Sequence, residues 1–135
     1  GLALLTDTLG RFPVGQYQLQ AAIAAVHDEA VTADATDWPQ ILALYDQLLR
    51  LDPSPVVALN RAVAIAELDG PAVALASVDR LAGLDGYHAF HATRADLLRR
   101  LGRHADARAA YDRALELAGN TAESAYLRRR RAELD

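Results

Sequence analysis

One pattern of small, apolar and turn residues recurs in this chain 33 residues apart, and a partial third copy precedes both. In the clearest copy Ala95, Leu98, Gly102, Ala107, Tyr111 and Ala114 follow one another at spacings of three, four, five, four and three. Moving 33 residues towards the N-terminus gives Ala62, Ile65, Asp69, Ala74, Val78 and Leu81, with the glycine displaced by one to Gly70. Val78-Asp79-Arg80 echoes Tyr111-Asp112-Arg113, and an earlier echo stands at Tyr45-Asp46-Gln47-Leu48-Leu49. Pro53 follows Tyr45 by eight residues, where such a unit closes. A fixed period of this length constrains the fold strongly. Each unit exposes an apolar face that it cannot bury alone, so neighbouring units must stack to form a core.

The punctuation between the copies says what each unit is made of. Breaks fall at Gly10–Gly15, Val31–Asp37, Asp52-Pro53-Ser54-Pro55, Asp69-Gly70-Pro71, Gly83–Gly86, Gly102-Arg103 and Gly119-Asn120-Thr121. Pro and Gly end one helix and begin the next. Between the breaks lie apolar residues at helical spacing, and no segment shows the sustained alternation of a strand. Asp37 precedes Gln40 by three and Asn120 precedes Glu123 by three, each the pattern of a capping box. Ser54-Pro55 and Gly70-Pro71 place proline first in a helix, where its missing N–H is not needed. The pattern predicts eight helices, over 2–10, 16–29, 38–51, 55–68, 71–83, 87–101, 104–118 and 121–134.

The small residues explain why these helices pair. Ala95 and Ala107 let the two helices of a hairpin approach closely, and Gly102 frees the turn between them. Tyr111 fills the space towards the neighbouring unit, and Ala114 admits the next helix. These are the small and aromatic positions of a tetratricopeptide repeat. The expected fold is therefore all-α, a tetratricopeptide-like right-handed superhelix of antiparallel helix hairpins within one domain, 1–135. Its expected parts are an N-terminal helix in 1–15, repeats over 16–53, 54–86 and 87–120, and a capping helix over 121–135.

Composition narrows the chemistry. Hydrophobic residues make up 52% of 135, enough for one core, but there are only two Phe and one Trp. Thin stacked hairpins need few large anchors. There is no cysteine, which excludes disulfides, thiolate metal sites and cysteine nucleophiles. The histidines, His27, His88, His91 and His104, form no H-x-x-x-H pair, and no metal or cofactor is expected. The net charge of −4 opposes a protein that coats nucleic acid, although all 14 basic residues are Arg. The run Arg128-Arg129-Arg130-Arg131 spans about one helical turn, so its charges fan around the helix. No apolar run is long enough to cross a membrane. Gly1-Leu2-Ala3-Leu4-Leu5 shows no basic leader or cleavage site, and a cytoplasmic location is expected.

Several longer runs resemble one bacterial family. They are Gln16-Tyr17-Gln18-Leu19-Gln20-Ala21-Ala22-Ile23-Ala24-Ala25-Val26-His27, Thr36-Asp37-Trp38-Pro39-Gln40-Ile41 and Pro53-Ser54-Pro55-Val56-Val57-Ala58-Leu59-Asn60-Arg61-Ala62-Val63-Ala64. Gly86-Tyr87-His88 and Arg94-Ala95-Asp96-Leu97-Leu98-Arg99-Arg100-Leu101-Gly102-Arg103 join them. Together they resemble the C-terminal tetratricopeptide-like extension of extracytoplasmic-function RNA polymerase sigma factors, across essentially the whole chain. The resemblance implies a regulatory extension that modulates transcription initiation. It also implies protein partners, either the sigma factor's own N-terminal regions or core RNA polymerase. The promoter-reading parts of that family lie N-terminal to the matching region, so no direct promoter binding is expected of this chain.

The concave face of such an array is lined by the first helix of each hairpin, here 16–29, 55–68 and 87–101. The polar residues on those helices are the candidate partner-binding set: Gln20, His27, Asn60, Arg61, His88, Arg94, Asp96 and Arg99. Asn60 interrupts an apolar run, and its carboxamide can pair with a peptide backbone or with a carbonyl of the adjacent loop. Arg61 and Arg94 stand one period apart, which fits a salt bridge between neighbouring repeats as well as a ligand contact. His27 and His88 fit internal hydrogen bonds as well as partner contacts. No Gly-rich phosphate loop, serine-nucleophile motif or metal spacing is present. Asp28 and Glu29 are adjacent on a helix and point apart, a poor acid/base pair. The reading is a non-enzymatic protein-protein interaction module. The alternative is a nucleic-acid-binding helical repeat, and behind it a small-ligand-binding or enzymatic helical domain.

Overall fold

The computed structural model describes residues 16–29 and 36–134. Seven helices and no strand are found among them: α1 (Gln16–Glu29), α2 (Trp38–Leu51), α3 (Pro55–Asp69), α4 (Pro71–Asp79), α5 (His88–Arg100), α6 (His104–Leu117) and α7 (Thr121–Ala132). The helix expected over 2–10 lies outside the described residues. Six of the other seven agree with the sequence reading to within one or two residues.

The seventh is corrected. The helix expected over 71–83 stops at Asp79. The Arg80 N–H donates to the Ser77 carbonyl and the Leu81 N–H to the Val78 carbonyl, so the last turn tightens to three-residue spacing. Gly83 then takes φ +81°, a left-handed conformation open to glycine, and the chain reverses. Leu84 follows and is buried. Placing Leu84 in the core outweighs continuing a helix through Leu81 and Ala82.

The starts follow the capping logic in part. The Asp37 carboxylate accepts from the Gln40 N–H at 3.1 Å, and the Asn120 side-chain carbonyl accepts from the Glu123 N–H at 2.7 Å. The Asn120 amide also donates to the Glu123 carboxylate at 3.3 Å. Ser54 Oγ accepts from the Val56 N–H at 3.2 Å, next to Pro55. At α4 the cap is Gly70, with φ +95° and no side chain to offer.

The chain divides into two compact units, residues 1–64 and 65–135, with the boundary inside α3. In the first, α1 packs on α2. Its core is Leu19, Ile23, Val26, Ile41, Leu48, Val57 and Ala64, flanked by half-buried Trp38, Leu42, Tyr45 and Leu49. In the second, α5 and α6 form the most extensive helix pair, α4 packs on α5, and α6 packs on α7. Leu101-Gly102-Arg103 joins α5 to α6, and Gly102 adopts φ +76°, which closes the hairpin. Ala74, Ala95, Ala107 and Ala114 are fully buried, and Ala62 is 1% exposed. The alanine positions of the repeat are therefore packed within the helix hairpins, as the spacing predicts. No polar or charged residue is fully buried among the described residues.

Candidate functional site

The eight candidate residues fall into three groups. Arg61 and Arg94 belong to the first. Arg61 Nε donates to Asp46 Oδ1 at 2.6 Å, and Arg94 Nε donates to Asp79 Oδ1 at 2.8 Å. Asp46, Asp79 and Asp112 stand one period apart, each on the second helix of its hairpin. Each pairs with an arginine of the helix that follows. One period beyond Arg94 lies Leu127, which is fully buried, so the third pair is made from one turn later, with Arg131 Nε at 2.5 Å from Asp112 Oδ1. Of the two readings open for Arg61 and Arg94, the salt bridge between repeats is the one observed. These pairs are about a third to a half exposed. Asp79→Ala should therefore destabilise the chain by only ~0.2–1 kcal/mol, and less at high salt. Urea unfolding at low and high salt checks this; a loss several times larger would mean the pairs carry the stacking themselves.

His88, Asp96 and Arg99, all on α5, form the second group. Tyr111 of α6 donates its hydroxyl to Asp96 Oδ1 and accepts from Arg99 Nε at 3.3 Å. Tyr126 of α7 donates to Asp96 Oδ2 at 3.3 Å, and Arg130 Nε donates to the Tyr126 hydroxyl at 3.5 Å. His88 Nε2 lies 2.8 Å from Glu123 Oε1. The polar side of α5 is thus engaged in holding α6 and α7. Burial raises the Tyr111 phenol well above its ordinary value, and the Asp96 carboxylate pushes it further, against a smaller opposing effect of Arg99. The partners Tyr111, Glu123 and Tyr126 are absent from the sequence-based set. Tyr111 stands there as a space-filling residue, but a tyrosine at a buried position implies a partner for its hydroxyl.

The third group is Gln20 and Asn60. Both are exposed, and neither carboxamide makes a hydrogen bond among the described residues. The loop-carbonyl partner considered for Asn60 is not observed there. Both residues line a cleft of ≈ 430 Å³ bounded by α1, α2 and α3. The buried Ile23 of α1, Leu48 of α2 and Val57 of α3 form its floor, and Ala24 and Val56 add the more accessible apolar surface. Tyr45, Asp52 and Ser54 complete the lining. Burial raises the Tyr45 phenol above its ordinary value, so it stays a neutral hydroxyl. A carboxamide donates and accepts at once, which matches the alternating N–H and C=O groups of an extended backbone. His27 lies in α1, and its side chain lies outside the described residues. No group of His, Asp or Glu among the described residues could hold a metal ion, and no helix among them is long and apolar enough to cross a membrane.

This arrangement of hairpins defines an all-α protein of tetratricopeptide-like fold. Residues 88–121 match the family described as tetratricopeptide repeat. Among solved structures, the chain is similar to a thermophilic TPR protein of Thermus thermophilus, with TM-score 0.71 and 24% identity, covering 96% of this chain and 69% of that one. It is also similar to the first TPR domain of the human RPAP3 protein, with TM-score 0.68 and 22% identity, covering 88% of this chain and 91% of that one. A relative in Rhizobium meliloti (strain 1021), an uncharacterised protein, is 49% identical over 128 residues. The match takes in 94% of this chain, which spans 30% of the length of that relative.

Proposed function

We propose that this chain is a non-enzymatic protein-protein interaction module whose contact site is the cleft bounded by α1, α2 and α3. The observation that carries the reading is the pair of carboxamides, Gln20 and Asn60, exposed beside an apolar surface and without internal partners among the described residues. Polar groups left free beside an apolar cleft fit a site where a partner supplies the hydrogen bonds. The remaining described candidates, Arg61, His88, Arg94, Asp96 and Arg99, hold the repeats together.

Within that role we assign the chain to the regulatory C-terminal extension of an extracytoplasmic-function sigma factor. The support is the resemblance of the runs around Gln20, Asn60 and Arg94 to that family. In such a protein the cleft meets a segment of the sigma factor's own N-terminal regions, or of core RNA polymerase, on the cytoplasmic side of the membrane. A tethered segment is presented at high effective concentration, so a weak contact is enough to regulate.

The test is the Gln20→Ala, Asn60→Ala double variant in the full-length protein. Both residues are exposed, so the variant should keep its circular dichroism spectrum and melt within about 0.5 kcal/mol of the parent. Its cross-linking to sigma regions and core polymerase subunits should fall, and reporter transcription should change with it. Unaltered cross-linking and output in a normally folded variant would remove the cleft from function.

A further inference from the structure

We infer that the cleft of the first unit takes an extended peptide segment carrying a lysine or arginine side chain between apolar neighbours. The inference rests on the reading of this cleft as the contact site and names the chemistry of what enters it.

Among the described residues ten line the cleft, and Asp52 is the one acidic or basic side chain of these ten. The nearest arginine in sequence to Asn60 is Arg61, whose Nε is engaged by Asp46 at 2.6 Å. Arg50 of α2 directs its Nε to the Asp46 carbonyl at 3.4 Å. The Asp52 carboxylate has no ion pair or hydrogen bond among the described residues, whereas Asp46, Asp79 and Asp112 each have an arginine. Asp52 is thus set apart from the three structural aspartates by its missing partner.

Helix ends do not cancel this charge. Asp52 is the C-cap of α2, at the negative end of that helix, where the last carbonyls lack intrahelical partners. The N-terminus of α3 enters the same cleft with the opposite polarity. Its donors are partly spent, because Pro55 has no N–H and the Val56 N–H is taken by Ser54 Oγ. The two helix ends bring opposite polarities to the cleft, and the Asp52 carboxylate stands between them without a partner among the described residues. An acidic segment would meet that charge with no cation among the described residues to receive its own. A basic side chain finds the carboxylate, Gln20 and Asn60 pair with the backbone beside it, and its apolar neighbours cover Ala24, Tyr45 and Val56.

The test uses the full 135-residue chain, immobilised and challenged with a displayed library of random dodecapeptides. The expected result is enrichment of sequences with Lys or Arg flanked by aliphatic residues, eluted by moderate salt. Asp52→Asn, which keeps a residue suited to a helix end, should abolish the basic preference and weaken the best peptide by ~tenfold, as loss of a charge-assisted contact does. Circular dichroism melts establish that this variant folds. Enrichment of acidic peptides, or an unchanged basic preference in Asp52→Asn, overturns the charge assignment and leaves the cleft standing as an interaction site. Selection unchanged by Gln20→Ala with Asn60→Ala means that peptides sit elsewhere, and both readings fall.

Discussion

Ala107→Leu should lower the melting temperature by several degrees. Ala107 is fully buried on α6, the helix most extensively packed against α5. A leucine there adds three carbons where the close approach leaves no room. Overpacking of this kind costs about 1–3 kcal/mol, and in a chain of this length each kcal/mol shifts the midpoint by roughly 3–5 °C. Ala109 lies two residues further along the same helix and is exposed. Ala109→Leu should therefore melt within about 0.5 kcal/mol of the parent, which separates overpacking from any general effect of leucine. Thermal melts of the two variants side by side check the register directly. Equal melting would mean that Ala107 does not face the hairpin partner.

Tyr111→Phe should cost about 1.5–3 kcal/mol, the range for a hydrogen bond to a charged acceptor. The ring keeps its place, and only the donor to Asp96 is lost. The carboxylate then retains Tyr126 at 3.3 Å and Arg99 at 4.0 Å. The same variant should change the alkaline limb of stability. The phenol of the folded state titrates above its ordinary value of 10.0, so the unfolded chain ionises first. The contribution of Tyr111 is whole below about pH 10 and is lost as pH rises towards the folded-state value. Above about pH 10 the parent should therefore lose stability more steeply than Tyr111→Phe. Denaturant unfolding of both proteins between about pH 8 and pH 11 measures this. Parallel curves would show that the hydroxyl does not carry the buried hydrogen bond.

Much of this architecture is legible in one sequence because it depends on spacing. The 33-residue period makes Ala62 equivalent to Ala95 and Ala74 to Ala107, and these four are buried, as is Ala114. Gly102 falls where the turn demands a left-handed residue and has φ +76°. Asp37, Ser54 and Asn120 cap the helices they precede. These outcomes follow from local stereochemistry and from the roughly 3.6-residue turn, which act the same way whatever surrounds them. The early end of α4 is the exception, because burial of Leu84 depends on what the chain packs against.

The candidate site divides along the same line. That Gln20, Asn60, Arg61, Arg94 and Asp96 sit on first helices of hairpins follows from their positions in the sequence. Which of them are free does not. Arg61 and Arg94 are neutralised by Asp46 and Asp79, fifteen residues away in each case. His88 and Asp96 are engaged by Glu123 and Tyr126, 35 and 30 residues further along the chain. Gln20 and Asn60 are separated by 40 residues and line one cleft, with the carboxylate of Asp52 in the same lining. Helix periodicity determines which face a side chain is on, and it is written in the order of residues. Whether a charged or polar group on that face is already satisfied depends on distances across helices, and only the packed structure decides those.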